Sequence, residues 1–186
     1  RLSASDEAIA HFKKALELLT ELPRNPERDQ QELTLQLALA VPLQAAKGFG
    51  APELGQAVVR ARELCQKIGE TPQLFTALCQ LATYYATRAE YRTALTFRDQ
   101  ITQIAERSKD PILEAISYYV QVWPLLNVGE LVQTAEYAKR MMAIYDPEKH
   151  GFMAYLFGYD LGVLNLGFGS WAEWILGYPD QALSHL

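Results

Sequence analysis

The residue types able to carry reaction chemistry in this chain are few: three histidines, two cysteines, a glycine-flanked serine and scattered carboxylates. His11, His150 and His185 are proton shuttles and zinc ligands by type. A structural zinc site, however, needs ligands at short fixed spacing, such as Cys-x-x-Cys or His-x-x-x-His, and neither occurs. His11 is expected to face solvent from a helix. His150 falls in a charged stretch, 146–150, expected to be a loop that terminates a helix. Ser170 lies in Gly167-Phe168-Gly169-Ser170, which is not the Gly-x-Ser-x-Gly turn that presents a nucleophile, and no base is evident beside it. Asp6-Glu7 and the pair Glu27 and Asp29 have the groups for acid–base work. They sit at helix starts or in turns, where the positive end of the helix dipole favours them. Cys65 and Cys79 both lie inside helical patterns. A disulfide can be drawn between them, but two small apolar core residues in a reducing compartment need none. There is no Gly-x-x-x-x-Gly-Lys-Ser/Thr loop for phosphates. No catalytic, cofactor-binding or metal-binding residue is assigned, and the chain is not expected to be an enzyme.

With reaction chemistry set aside, composition points to a packed helical domain. Hydrophobic residues are 49% of the 186, enough for a continuous core, and charged residues are 21%. The formal net charge of −5 argues against a nucleic-acid partner, since such domains carry a basic stripe. Residues 1–14 contain no apolar stretch of the kind that opens a signal peptide. The stretch 152–178 is apolar, but Asp160, Asn165, Glu173 and several glycines interrupt it. Charge at a bilayer centre is costly, so a buried helix pair is expected there, without a membrane span. A cytoplasmic location follows.

Proline and glycine divide the chain. Pro23, Pro72, Pro111 and Pro147 recur at intervals of roughly 36 to 49 residues, in or just past the range of helical repeats. A helix is predicted over 5–19, capped by Ser5 or Asp6, with Ala8, Ile9, Phe12, Ala15, Leu16 and Leu19 on one stripe. Pro23 and Pro26 end it in a polar turn over 22–29. A second helix spans 30–47, kinked or broken at Pro42, and stops at Gly48-Phe49-Gly50. A third opens with Pro52 in its first turn and runs to Ile68, where Gly69 stops it. The next hairpin pairs 72–88 with 91–108 across Ala89-Glu90, and another pairs 111–128 with 131–145 across Gly129-Glu130. Two-residue links of this kind allow only an antiparallel helical turn. A loop over 146–151 precedes the last unit, 152–176, followed by Gly177-Tyr178-Pro179 and a helix from Asp180. Glycines 158, 162, 167 and 169 weaken that first helix, and it is expected to break near Tyr159-Asp160 and start properly near Leu161. No segment alternates long enough to be a strand. The expected architecture is all-α and one continuous domain over 1–186, in units of about 1–22, 30–69, 72–108, 111–145 and 152–186.

These residues resemble the tetratricopeptide repeat. Leu78, Leu81, Ala82 and Tyr85, then Ala89-Glu90-Tyr91 and Ala94, carry its large, small and aromatic positions. Gly177-Tyr178-Pro179-Asp180-Gln181-Ala182-Leu183 fits the same turn and second-helix start, and Ala8, Phe12 and Ala15 match a second helix. Small residues let helices cross closely and large ones fill the groove beside them. Two positions depart from the pattern: Arg98 replaces an aromatic and Thr134 an alanine. More narrowly, Ala46-Lys47-Gly48-Phe49-Gly50-Ala51-Pro52-Glu53, Arg62-Glu63-Leu64-Cys65, Gly69-Glu70-Thr71-Pro72-Gln73-Leu74-Phe75, Tyr145-Asp146-Pro147-Glu148-Lys149-His150 and Leu176-Gly177-Tyr178-Pro179-Asp180-Gln181-Ala182-Leu183 resemble the helical-repeat regions of large bacterial signalling proteins, in which a nucleotide cyclase or kinase-like module and a signal-transduction ATPase module precede the repeats. The chain then reads as a fragment of a longer array.

The resemblance implies antiparallel hairpins stacked as a right-handed superhelix, an α-solenoid, whose first helices line a concave peptide-binding face. Tyr84, Tyr85, Tyr118, Tyr119, Trp123, Trp171 and Trp174 all fall on first helices. Aligned with the repeat, Thr83, Thr87, Tyr119, Trp123, Asn127, Trp171 and Trp174 face the groove and Tyr85 packs inside its hairpin. Aromatic anchors suit peptide capture, while large aromatics that fill core between hairpins are the plainer alternative for Trp123 and Trp171. The expected function is non-catalytic: a scaffold or sensor that takes up a peptide, a protein segment or a neighbouring module of its own protein, with no cofactor. Self-association into a homo-oligomer is the second reading.

Overall fold

A computed structural model describes residues 4–69, 72–151 and 160–184. Every regular element among them is a helix, and successive helices pack as antiparallel pairs. Contacts divide the chain into two compact units, Arg1–Arg88 and Ala89–Leu186.

The first unit contains α1 (Ala4–Leu19), α2 (Pro26–Lys47), α3 (Pro52–Ile68) and α4 (Pro72–Thr87), each packed on the next. The predicted stripe of α1 holds, with Ile9 and Leu19 buried. Ser5 and Asp6 lie inside its first turn instead of capping it. α2 begins four residues before the predicted start. Asn25 caps it by accepting the Arg28 N–H at 2.7 Å, and Pro26 occupies the first turn, where its missing N–H is no loss. Of the kink or break predicted at Pro42, the break does not occur, and α2 runs through it. A mid-helix proline costs about 3 kcal/mol. Leu39 and Leu43, buried on either side, each return about 1.5–3 kcal/mol by burial. Glu32 accepts Arg60 Nε at 2.6 Å and a second guanidinium bond at 3.1 Å, tying α2 to α3. α3 buries Leu54, Val58, Ala61 and Leu64 at helical spacing. It needs glycine at position 55, because a Cβ there would stand 2.4 Å from the Tyr84 ring of α4.

The second unit contains α5 (Tyr91–Leu95), α6 (Arg98–Ser108), α7 (Pro111–Asn127), α8 (Leu131–Ile144), α9 (Pro147–His150), α10 (Leu161–Ile175) and α11 (Pro179–Ser184). α5 and α6 pack on α7, α7 on α8, α10 on both α8 and α7, and α11 on α10. The single helix predicted over 91–108 is broken at Thr96-Phe97. The Thr96 hydroxyl donates to Thr93 O at 2.7 Å, and the Thr96 and Phe97 amides turn to carbonyls three residues back. A threonine that bonds its own backbone competes with the regular ladder. α7 likewise continues through Pro124, which is buried.

The predicted loop over 146–151 contains a helical turn, α9. Asp146 caps it by accepting the Glu148 N–H at 3.0 Å, and His150 Nδ1 accepts the Asp146 N–H at 2.9 Å. α10 starts at Leu161 as predicted; the weakened stretch before Asp160, including Gly158, lies outside the described residues. Thr134 is fully buried and its hydroxyl donates to Glu130 O at 2.9 Å. Arg98 donates to Asp99 and Gln133.

Candidate interaction surface

α10 is positioned at both ends. At its start, Asp160 Oδ1 accepts the Val163 N–H at 3.0 Å and Oδ2 accepts the Tyr145 hydroxyl at 2.8 Å. Burial opposes ionisation of this carboxylate, but these bonds outweigh it and hold its pKa below the usual range. Burial and the neighbouring carboxylate push the Tyr145 phenol up to about 12. The Tyr145 ring lies so close to α10 that a Cβ on Gly162 would stand 2.5 Å from it. At its end, the Gly177 N–H bonds Trp174 O at 3.1 Å and the Tyr178 N–H bonds Glu173 O at 2.9 Å. With Gly177 at φ +92°, this is a Schellman closure, and α7 ends the same way at Gly129-Glu130.

The buried face of α10 crosses α8 at small residues. A Cβ on Gly169 would meet Ala138 Cβ at 2.7 Å, and Asn165 Nδ2 donates to Ala138 O at 2.9 Å. That close crossing leaves the other face outward. Trp171 is 54% exposed, Trp174 57% and Ile175 63%, at spacings of three and four residues, which is one helical stripe, and Tyr178, 54% exposed, follows just past the turn that ends the helix. Trp171, Trp174 and Ile175 line an open groove of about 430 Å³ with Leu126 and Asn127 of α7.

Of the seven predicted residues, Asn127, Trp171 and Trp174 therefore meet in one groove. Trp123 does not line it. It is half-buried behind, its ring 4.8 Å from Phe168 and 6.4 Å from Tyr91, and Phe168 in turn contacts Trp171 at 5.9 Å. Asn127 donates to Trp123 O at 2.9 Å. Tyr119 is half-buried on α7, outside the groove lining. Thr83 and Thr87 belong to the first unit, where their hydroxyls donate to carbonyls of their own helix. Tyr85 is half-buried with its ring edge against Tyr84 at 5.2 Å. The sequence reading missed Leu126, Ile175, Tyr178 and Phe168. The stripe from Trp171 to Ile175 was readable from its spacing, whereas Leu126 is an ordinary core leucine by pattern.

The remaining chemical candidates have structural places. Glu27 and Asp29 lie in the first turn of α2, and Asp29 also pairs with Lys67 at 2.5 Å. His11 is exposed on α1, and His185 lies outside the described residues. Cys65 and Cys79 are buried and form no disulfide, and burial pushes the Cys79 thiol far above its ordinary range. Among the described residues no cluster of His, Cys, Asp or Glu is arranged to hold a metal ion, and no helix is long and apolar enough to cross a membrane. No protein-family model matches the chain, and no curated protein matches it in sequence.

Proposed function

We propose that the chain is a non-catalytic interaction domain of the tetratricopeptide type, a right-handed stack of hairpins that captures a peptide or protein segment on its exposed aromatic face. The observation that carries this is the groove of Trp171, Trp174 and Ile175 with Leu126 and Asn127. Monomeric proteins seldom leave clustered large apolar side chains uncovered without a partner for them, and tryptophan is the residue most enriched among binding hot spots. The repeat reading draws support from burial at its small and large positions: Leu78, Leu81, Ala82, Ala94 and Ala182 are all buried. Within a larger bacterial signalling protein in the cytoplasm, engagement of this face would bias an ATPase or cyclase switch.

The test is selection from a displayed random-peptide library, with winners remade as synthetic peptides and titrated by fluorescence anisotropy. Peptides that bind the wild type should lose at least tenfold in affinity, about 1.4 kcal/mol, on Trp171→Ala/Trp174→Ala. Failure to select any peptide sensitive to that pair would overturn the proposal. The same apolar stripe favours self-association as the second reading. Light scattering across the micromolar range separates the two, because a strict monomer excludes it.

A further inference from the structure

α10 holds a single charged residue, Glu173, among its 15 residues. One face crosses α8 and is buried, yet the outward face is apolar as well. Val163 is 67% exposed. With Leu164, Gly167, Trp171, Trp174 and Ile175 it forms a continuous stripe at helical spacing. A helix that is apolar all round is one that is buried on every side, so this face lacks its cover. The stripe also has a hollow near its middle. A Cβ on Gly167 would meet nothing within 4 Å, and one turn further along Trp171 projects outward.

Charge and area both fit a second copy of the chain. The formal net charge is −5, so two copies repel one another over most of their surface. The stripe carries no charge, and neither does the lining of the groove beside it. Two copies can therefore meet on this face without like-charge cost. More than half of Val163, Trp171, Trp174 and Ile175 is open to solvent. An aromatic side chain carries about 150–250 Å² and an aliphatic one somewhat less, so each copy offers about 500 Å². Two copies would bury about 1,000 Å², the lower bound for a specific interface and the size of a weak, reversible one.

The stripe is complementary to itself. In an antiparallel pair of α10 helices, a two-fold axis level with residue 169 sets position 167 of one copy opposite 171 of the other, 163 opposite 175, and 164 opposite 174, each contact being made twice. The smallest residue of the stripe then meets its largest projection, and every other pair is apolar on both sides. We propose that α10 is the interface of a two-fold dimer, in which the Trp171 ring of each copy seats over Gly167 of the other. The proposal rests on the self-association reading and gives it an interface. Because the same rings form the groove, a captured peptide and a second copy exclude one another.

The experiment is analytical ultracentrifugation of the whole chain from about 1 to 200 µM, a span that covers micromolar affinity. A monomer–dimer equilibrium is expected, with no larger species, because a two-fold contact closes on itself. Gly167→Leu fills the hollow, and Trp171→Ala removes the ring that enters it. Each should weaken the dimer at least tenfold with unchanged helicity by circular dichroism. Val132→Ser, at an exposed position of α8, should leave the dimer as strong as before. A strict monomer throughout overturns the dimer and the self-association reading together, and leaves a foreign peptide as the cover. A dimer indifferent to both Gly167→Leu and Trp171→Ala overturns the α10 crossing alone, since the copies would then meet elsewhere.

Discussion

Gly167→Ala and Gly169→Ala add the same methyl group two residues apart on α10, and the structure assigns them opposite effects. A Cβ at Gly167 meets nothing within 4 Å, so replacing a mid-helix glycine by alanine gains about 1 kcal/mol in helix propensity. A Cβ at Gly169 stands 2.7 Å from Ala138 Cβ. Carbon atoms rest at about 3.5–4.0 Å, so α8 and α10 must part by about 1 Å. That movement also stretches the 2.9 Å bond from Asn165 to Ala138 O beyond hydrogen-bond length. Overpacking costs about 1–3 kcal/mol and the orphaned buried amide about 1–3 kcal/mol. Less the propensity gain, the net loss is about 3 kcal/mol. Urea unfolding followed by tryptophan fluorescence reads this directly, because all three tryptophans, at 123, 171 and 174, lie in the second unit. With a slope of about 2 kcal/mol/M, the midpoint should fall by about 1.5 M for Gly169→Ala and rise by about 0.5 M for Gly167→Ala. Adding Ala138→Gly to Gly169→Ala should recover part of the loss, giving a favourable coupling in a double-mutant cycle. Midpoints that move in the same direction for both alanines would refute the close crossing of α8 and α10.

Three further outcomes are expected. Trp123→Ala should cost about 2–3 kcal/mol by removing a ring packed on Phe168 and Tyr91, while Trp171→Ala should change the same urea midpoint by less than a third as much. Asp160→Asn should be less stable than wild type near neutrality, and the difference should vanish in acid. The Asp160 pKa is lowered on folding, so its contribution is present above the unfolded value of about 4 and is lost as pH falls through the folded one. A difference that persists below that range in pH-dependent melting curves would contradict it. Cys65 and Cys79 should resist a thiol-specific reagent in the native state and react together once urea unfolds the first unit. Rapid native labelling of either would show that the α3–α4 interior is open.

Helix boundaries set by local chemistry were legible in the sequence. Gly48, Gly69, Gly129 and Gly177 all adopt positive φ at helix ends, and Asp160 caps α10 where a break was expected. The misreadings have different causes, one in tertiary packing and two in local hydrogen bonds. Pro42 was read as a kink or a break, and it is carried inside a continuous helix because its neighbours are buried from both sides. Polar residues 26–29 were read as a turn, although Pro26 and two acidic residues make a good first turn once Asn25 caps them. The break at Thr96-Phe97 rests on a side-chain-to-backbone bond that leaves no periodic trace. At the surface, Trp123 and Trp171 were given the same choice between core and groove, and the structure separates them: the Phe168 ring stands between the two, half-covering one and leaving the other outward. Sequence spacing alone holds no record of which ring occupies that place.

The most direct measurement is iodide quenching of tryptophan emission in the presence and absence of a library-selected peptide, using Trp123→Phe so that only Trp171 and Trp174 report. Bound peptide should shift the emission to shorter wavelength and cut the quenching constant at least twofold, because it would cover rings now more than half open to solvent. Emission and quenching that stay unchanged at saturating peptide would place the contact elsewhere and contradict a capture surface on α10.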